Sequence, residues 1–265
     1  MSTDAPQKTL SRDELIDWLR LIGTDGIGPI SFKQLLNKHG SAQGALSALA
    51  SSSKTYTVPS ADQIERELLI ASRDGITPIP SCEATYPSQL RQVDDAPPVL
   101  WVIGDAGVLH RPCVGVVGAR NASLNGKKFA KKLSHDLADA GYAVVSGLAR
   151  GIDGAAHEGA LAQGTTVAVL ASGVDVVYPP EHRAIYQKII KSGAVVSELK
   201  PGTEPPSGAF PPPQPNHFRP QQRGDYRRSH SEIGIVDNRT AGPRPRPRGL
   251  GRTGLAARSP VGRSQ

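Results

Sequence analysis

The chain has 265 residues, enough for one large domain or for a main domain with a smaller companion. Its formal charge of +7 is unevenly spread: residues 211–265 carry eleven arginines, no lysine and three acids, hence +8, whereas the first 210 residues, with 20 basic and 21 acidic side chains, carry −1. A general basic field, the usual signature of a nucleic-acid partner, is therefore excluded before residue 211, and any such partner must be met at a local site. No apolar run approaches the ~20 residues that span a bilayer, and Met1 to Arg12 lacks the apolar stretch of a secretory leader. Cys82 and Cys113 stand alone, which fits reduced thiols in a cytoplasmic protein rather than a disulfide.

In chain order, residues 1–75 read as a small helical domain. Ser11 followed three residues later by Glu14 is a capping box, and Leu15, Ile16, Trp18, Leu19 and Ile22 continue it with helical spacing. Gly26-Ile27-Gly28 breaks that helix before Phe32, Leu35 and Leu36 begin another. The break resembles the turn of a helix-hairpin-helix, whose backbone N–H groups can meet a phosphate, but a plain αα-hairpin is the preferred reading of the sequence. A further short helix is expected over 63–72. Residues 76–112 form a proline-rich connector with one strand, Val99 to Gly104.

From 113 to 210 strands and helices alternate. Strands are expected over 114–118, 143–146, 167–171 and 194–197, and helices over 127–140, 153–163 and 181–192. The fold class is therefore α/β: a Rossmann-like parallel, doubly wound sheet with ligand at the strand C-ends. Beyond 210 come Pro211-Pro212-Pro213 and Arg-Pro repeats, so residues 211–265 read as a disordered tail.

Two glycine-punctuated loops carry the chemistry. Gly118-Ala119-Arg120-Asn121, then Ser123, follows the first strand of the alternation; Ser146-Gly147-Leu148-Ala149-Arg150-Gly151-Ile152-Asp153 follows the second. Glycine lets backbone amides approach a ligand, a helix N-terminus favours an anion, and arginine presents a fork matched to phosphate oxygens. The pattern is not the dinucleotide fingerprint, because no acid closes the second strand. Asp153 is expected to cap the following helix, and His157 to make a structural hydrogen bond. Gly173, in Ser172-Gly173-Val174-Asp175, could form the far wall of the crevice. Lys127 and Lys131, within a stripe that also holds Lys128 and Lys132, are possible accessory contacts. No nucleophile–base pair, paired carboxylates or metal cluster of useful spacing is present, so no catalytic residue, metal or cofactor is expected. The site reads as built to hold.

These residues resemble the bacterial DNA-processing protein family (DprA, also called Smf). The resemblance is carried by Tyr86 to Leu90, Asp95 to Pro98, Val114 to Arg120, Ser146 through Asp153 to His157, Thr166 to Asp175, Tyr178-Pro179 and Val196 to Gly202, and covers roughly residues 10–210. It implies an extended Rossmann-like domain behind a small helical domain of the sterile-alpha-motif (SAM) or helix-hairpin-helix kind. The expected function is binding of single-stranded DNA and loading of the RecA recombinase in natural transformation, without catalysis, by a homodimer. The DNA-contacting residues it implies are Gly118, Ala119, Arg120, Ser146, Gly147, Arg150 and Gly151. Ala119 stands where members often carry serine, which removes one hydroxyl. A phosphoribohydrolase-like, nucleotide-binding enzyme of related fold is the alternative, although its Pro-Gly-Gly-x-Gly-Thr loop is absent and Ser172 to Asp175 is the nearest equivalent.

After Phe210 the resemblance breaks. Shifting the reading of Pro212 to Pro220 by one nucleotide permits Arg-Arg-Asn-Arg-Ile-Ile-Ser-Gly, and the same shift over Glu232 to Thr240 permits Lys-Ser-Gly-Ser-Leu-Ile-Thr-Ala-Arg, both family-like. Residues 211–265 are thus expected to be an out-of-frame translation, leaving the sheet incomplete and the chain unstable or inactive.

Overall fold

The computed structural model describes residues 8–205 and the backbone of residues 233–237. The chain opens with α1 (Arg12–Ile22), whose capping box forms as expected: Ser11 Oγ accepts from Glu14 N–H at 3.2 Å, and Glu14 Oε2 accepts from Ser11 N–H at 2.9 Å. A turn through Gly26, at φ +79°, leads into α2 (Pro29–His39), and Gly40 in the left-handed region ends it. Next come α3 (Ala42–Ala50) and α4 (Ala61–Arg73), each capped by a serine hydroxyl. The Trp18 and Phe32 rings meet edge to face at 4.9 Å, locking α1 on α2. The helix α3 was not anticipated. Its small residues, Ala42-Gln43-Gly44-Ala45, give little periodic signal, and it is made by burying Ala45, Leu46 and Leu49.

The connector holds more structure than its prolines suggested. A strand β1 (Ile76–Pro80) precedes a single helical turn α5 (Ser88–Arg91), β2 (Val99–Gly104) and a 3-10 turn at Ala106–His110. Pro78 and Pro80 are tolerated because β1 is the edge of the sheet, where a missing N–H costs no ladder bond. The alternation then runs β3 (Cys113–Gly118), α6 (Leu124–Asp139), β4 (Ala143–Ser146), α7 (Ile152–Ala160), β5 (Thr166–Val169), a 3-10 turn at Pro180–His182, α8 (Arg183–Ser192) and β6 (Ala194–Ser197). The helix expected from Glu181 thus starts as the tighter 3-10 turn, and α7 ends three residues early at Ala160.

The strand order is β1-β2-β6-β5-β4-β3, and a last strand, β7 (Ile233–Asp237), lies beyond β3. Strands β3 to β6 are parallel, as expected, but β1–β2, β2–β6 and β3–β7 are antiparallel, so the sheet is mixed. Strand β7 corrects the expectation of an unordered tail for these five residues. An uncovered β3 would expose a row of unpaired backbone groups, and the β-branched Ile233, Ile235 and Val236 suit a strand. The remainder of the expected tail lies outside the described residues.

Each step from β3 to β6 moves one place in the same direction, so right-handed crossovers put α6, α7 and α8 on one face. Val114, Val116 and Val144 pack against α6 and α7 there, and Val99, Trp101 and Val195 join α8 and the four N-terminal helices in one continuous core. The sheet is therefore not doubly wound among the described residues. Its other face, carrying Leu100, Val102, Val167 and Val196, is covered by Ile79, Tyr86, Val108 and Leu109 from short connecting segments. The N-terminal helices are also tied to the sheet by hydrogen bonds: Trp18 Nε1–H donates to Pro98 O at 3.1 Å, and Lys200 Nζ meets Glu67 Oε1 at 3.0 Å.

Helices α6 and α7 cross without a spacer, since a Cβ on Gly159 would stand 2.0 Å from the Lys131 carbonyl oxygen. Gly159→Ala should therefore force the two helices apart and cost about 1–3 kcal/mol, the usual penalty for overpacking a core. Urea denaturation checks this; an unchanged midpoint would show that the crossing is looser than described.

Candidate nucleic-acid interface

The parallel register places the ends of β3, β4 and β5 along one edge of the sheet, and the two glycine loops emerge there side by side. Ile152 N–H donates to the Ala119 carbonyl at 3.2 Å, joining the second loop to the first. Gly151 makes this approach possible. Its φ is +83°, and a Cβ would sit 2.2 Å from Ala119 O and 2.5 Å from Arg120 O. Leu148 also has a positive φ, 56°, which is costly for a residue with a γ-branched side chain. It is held there because its side chain is completely buried in the core shared with Leu170, Val174 and Ile189.

Beneath the loops lies Asp153, only 7 % exposed. It does not cap α7, whose N-cap is Gly151 with no side-chain bond. Instead its carboxylate accepts from Gly147 N–H at 3.2 Å and faces the amides of Ala149 and Gly118. Burial pushes its pKa up and these amides pull it down, with burial prevailing. The Gly147 amide is therefore turned inward and taken up by a side chain of the protein, contrary to the expectation that it would meet a ligand. Ser146 is corrected likewise: its hydroxyl is buried and donates to Val116 O at 2.7 Å, stitching β4 to β3. Gly173 is buried, and its N–H donates to Thr203 O at 2.8 Å, so the third loop is a packed corner of the fold and not an open wall. Ser123 caps α6 through Gly126 N–H.

What faces outward is Gly118, Ala119, Arg120 and Asn121 on the first loop, and Gly147 and Arg150 on the second. Arg150 Nε–H donates to Glu181 Oε1 at 2.5 Å, with the two side chains 61 % and 49 % exposed. The bond holds the Glu181 carboxyl below its ordinary pKa and raises that of Arg150. Neither Glu181 nor its neighbour His182 was anticipated. The contact spans 31 positions in sequence and no local pattern announces it. His182 Nδ1–H donates to the Leu148 carbonyl at 2.8 Å, so the 3-10 turn at Pro180–His182 grips the second loop twice.

A groove of about 300 Å³ continues the edge, lined by Lys127, Lys128, Lys131, Gly151, Gly154 and His182 among others. It joins the accessory lysines to the second loop. Lys131 is paired with Glu158 at 3.0 Å and Lys132 with Asp136 at 2.7 Å, whereas Lys127 and Lys128 form no ion pair among the described residues. Also among the described residues, no three His, Cys, Asp or Glu side chains gather where they could hold a metal ion, and no helix is long and apolar enough to cross a membrane.

His157 makes the structural bond expected of it. It is fully buried, and its Nδ1 lies 2.8 Å from Thr166 Oγ1, which itself donates to Val144 O at 2.6 Å. The hydroxyl proton is thus committed to the carbonyl, so the imidazole donates from Nδ1. Burial, then the nearby His182, pushes its pKa down to about 3.

The class defined by this fold and edge is a Rossmann-like α/β protein with a helical N-terminal module and paired basic loops at the strand C-ends. A family model described as DNA recombination-mediator protein A matches residues 78–213, and one described as a DprA-like N-terminal HHH domain matches residues 12–69, which favours the helix-hairpin-helix reading of the first turn. The chain belongs to the DNA recombination-mediator protein A family. It is 30% identical over 223 residues to Protein Smf of Synechocystis sp., covering 76% of this chain and 55% of that protein. It is 34% identical over 151 residues to the DNA processing protein DprA of Bacillus subtilis, covering 56% of this chain and 51% of that one. The X-ray structure of DNA processing protein A from Streptococcus pneumoniae superposes with a TM-score of 0.60 at 25% identity, over 77% of this chain and 73% of that chain. The chain spans about half the length of the curated relatives it matches.

The buried imidazole sets a dependence of stability on pH. An unfolded histidine takes up a proton as pH falls through about 6.5, while folded His157 stays neutral down to about 3. Its contribution is complete above the unfolded pKa and is lost as pH falls below it, by at most ~1.4 kcal/mol per pH unit. Thermal melts at about pH 7.5 and about pH 5 should show the drop, and His157→Gln should reduce it. Equal drops in both proteins would remove His157 as the cause.

Proposed function

We propose that this chain holds single-stranded DNA by its sugar–phosphate backbone, along the edge formed by Gly118, Ala119, Arg120 and Asn121 with Gly147, Arg150 and Gly151, and that Lys127 and Lys131 extend the track. The observation that carries this is the Ile152 N–H to Ala119 O bond, which sets two exposed arginine-bearing loops beside each other. Because the first 210 residues are close to neutral, grip must come from these few guanidinium and ammonium groups and not from an overall field. Ser146 and Gly173 leave the proposed contact set and act in the framework beneath it.

The wider role follows the family: a mediator in DNA uptake that protects the incoming strand and loads RecA, acting in the cytoplasm and as a homodimer where the fold is intact. We read it as a binding protein and not an enzyme. Supporting this, the side chains nearest the loops are already engaged: the Ser146 hydroxyl on Val116 O, Asp153 on Gly147 N–H, and His157 in the core. A change of reading frame near residue 211 is part of the same proposal. The family match ends at residue 213, where the arginine- and proline-rich composition begins. Sequencing the coding DNA across this point tests it, and an undisturbed frame with unrelated codons would end the idea.

Binding of a labelled oligothymidylate, measured by anisotropy over a salt series, tests the grip. Arg120→Ala and Arg150→Ala should each weaken binding about tenfold and flatten the logarithmic salt dependence by about 0.7 per lost phosphate contact. The double variant should lose more than either. Unchanged affinity in the double variant would refute the site. Release of free base from a nucleoside monophosphate would favour the hydrolase alternative.

A further inference from the structure

The geometry points to Glu181 as a positioning residue for Arg150: the turn at Pro180–His182 is a buttress that presents the guanidinium to the ligand already ordered. This rests on the reading that Arg150 grips a phosphate. It is not obvious from charge, since a carboxylate beside a polyanion site should oppose binding.

Three observations support the buttress. First, the contact uses Nε–H of Arg150, and among the described residues neither terminal amino group of that guanidinium is engaged. The edge made by those two groups is one that can meet two phosphate oxygens at once, so Glu181 occupies one side of the fork and leaves another open. Second, the same turn holds the loop backbone, through His182 Nδ1–H to Leu148 O at 2.8 Å. Glu181 therefore acts from a base fixed to the loop it orients, not from a loose surface position. Third, the anchor at Leu148 is itself rigid, being fully buried and held at a φ of 56°. Gly154 makes room for the arrangement, since a Cβ there would lie 2.8 Å from the His182 ring.

A long arginine side chain loses rotamer freedom when it clamps a ligand. A partner that restrains it beforehand lowers that cost at binding, which is how preorganised sites gain affinity. The hydrogen bond from Arg150 also holds the Glu181 carboxyl below its ordinary range.

The test is oligothymidylate affinity in Glu181→Ala and Glu181→Gln, each made alone and with Arg150→Ala. Glu181→Ala should bind about three- to tenfold more weakly, the factor expected from having to order one long side chain at the interface, although it removes a negative charge. Glu181→Gln keeps an oxygen for Nε–H without the charge and should bind as well as the parent or better. With Arg150→Ala present, Glu181→Ala should no longer weaken binding, and both changes at position 181 should act alike, through the lost negative charge alone. Melting temperatures of the single variants should match the parent, which separates positioning from a structural role. Tighter or unchanged binding by Glu181→Ala would overturn the inference, the former showing Glu181 to be a competitor for Arg150. If Arg150→Ala alone leaves affinity intact, it is the proposed grip that fails.

Discussion

The site is organised around a buried carboxyl group that accepts hydrogen bonds from the loops above it. Asp153 sits under both loops, takes the Gly147 amide and faces those of Ala149 and Gly118. Glycine-rich loops before a helix usually turn such amides toward a bound anion. Here a side chain of the protein stands where that anion would stand, so the turn is completed internally. The loops gain a fixed shape without any ligand, and in the proposed function the attraction for an external phosphate falls to the arginines at their rims. Burial raises the carboxyl's pKa while the amides resist that rise. Both forms of the group accept from amides, so the loop geometry is coupled to Asp153 through hydrogen bonding more than through net charge.

Helix α7 transmits this geometry because three of its glycines, or those at its start, each admit a different neighbour. Gly151 admits the Ala119 carbonyl, Gly154 the His182 ring and Gly159 the Lys131 carbonyl. The helix is thereby pressed against the first loop, the 3-10 turn and α6 at once. Five of its nine residues are buried alanine or glycine, residues with little side-chain entropy to lose. Such a helix contributes little apolar area of its own, and its value lies in close backbone contact, which fixes where Arg150 begins.

Much of this was legible in the sequence, where the signal is local. Strands β2, β4 and β6 fall where β-branched runs place them, and the Ser11 capping box and the adjacency of the two loops follow from spacing alone. The misses share a cause: they depend on partners distant in the chain. Strand β1 is recognisable only once its edge position excuses Pro78 and Pro80. Ser146 and Gly173 look like ligand groups until Val116 O and Thr203 O, 30 residues away in each case, are seen to occupy them. Asp153 fits the pattern of a helix cap but turns back to the loop: α7 is N-capped by Gly151, so Asp153 lies inside the helix, and its carboxylate accepts from Gly147 N–H. The resemblance to a family identified which loops matter without showing which of their atoms are free.

That distinction changes what kind of binding the edge supports. Had the loop amides been open, a single phosphate could be encircled, as in nucleotide-binding folds, and affinity would depend on one enclosed anion. With the amides closed by Asp153, the outward groups are guanidinium and ammonium ends at the rim, continuing along the groove past Lys127 and Lys131. Rim cations of this kind read charge and spacing and make no demand on base identity. They suit a run of phosphates better than an isolated one. A polymer backbone is therefore a better chemical match to this edge than a mononucleotide, and the buried carboxylate is the reason.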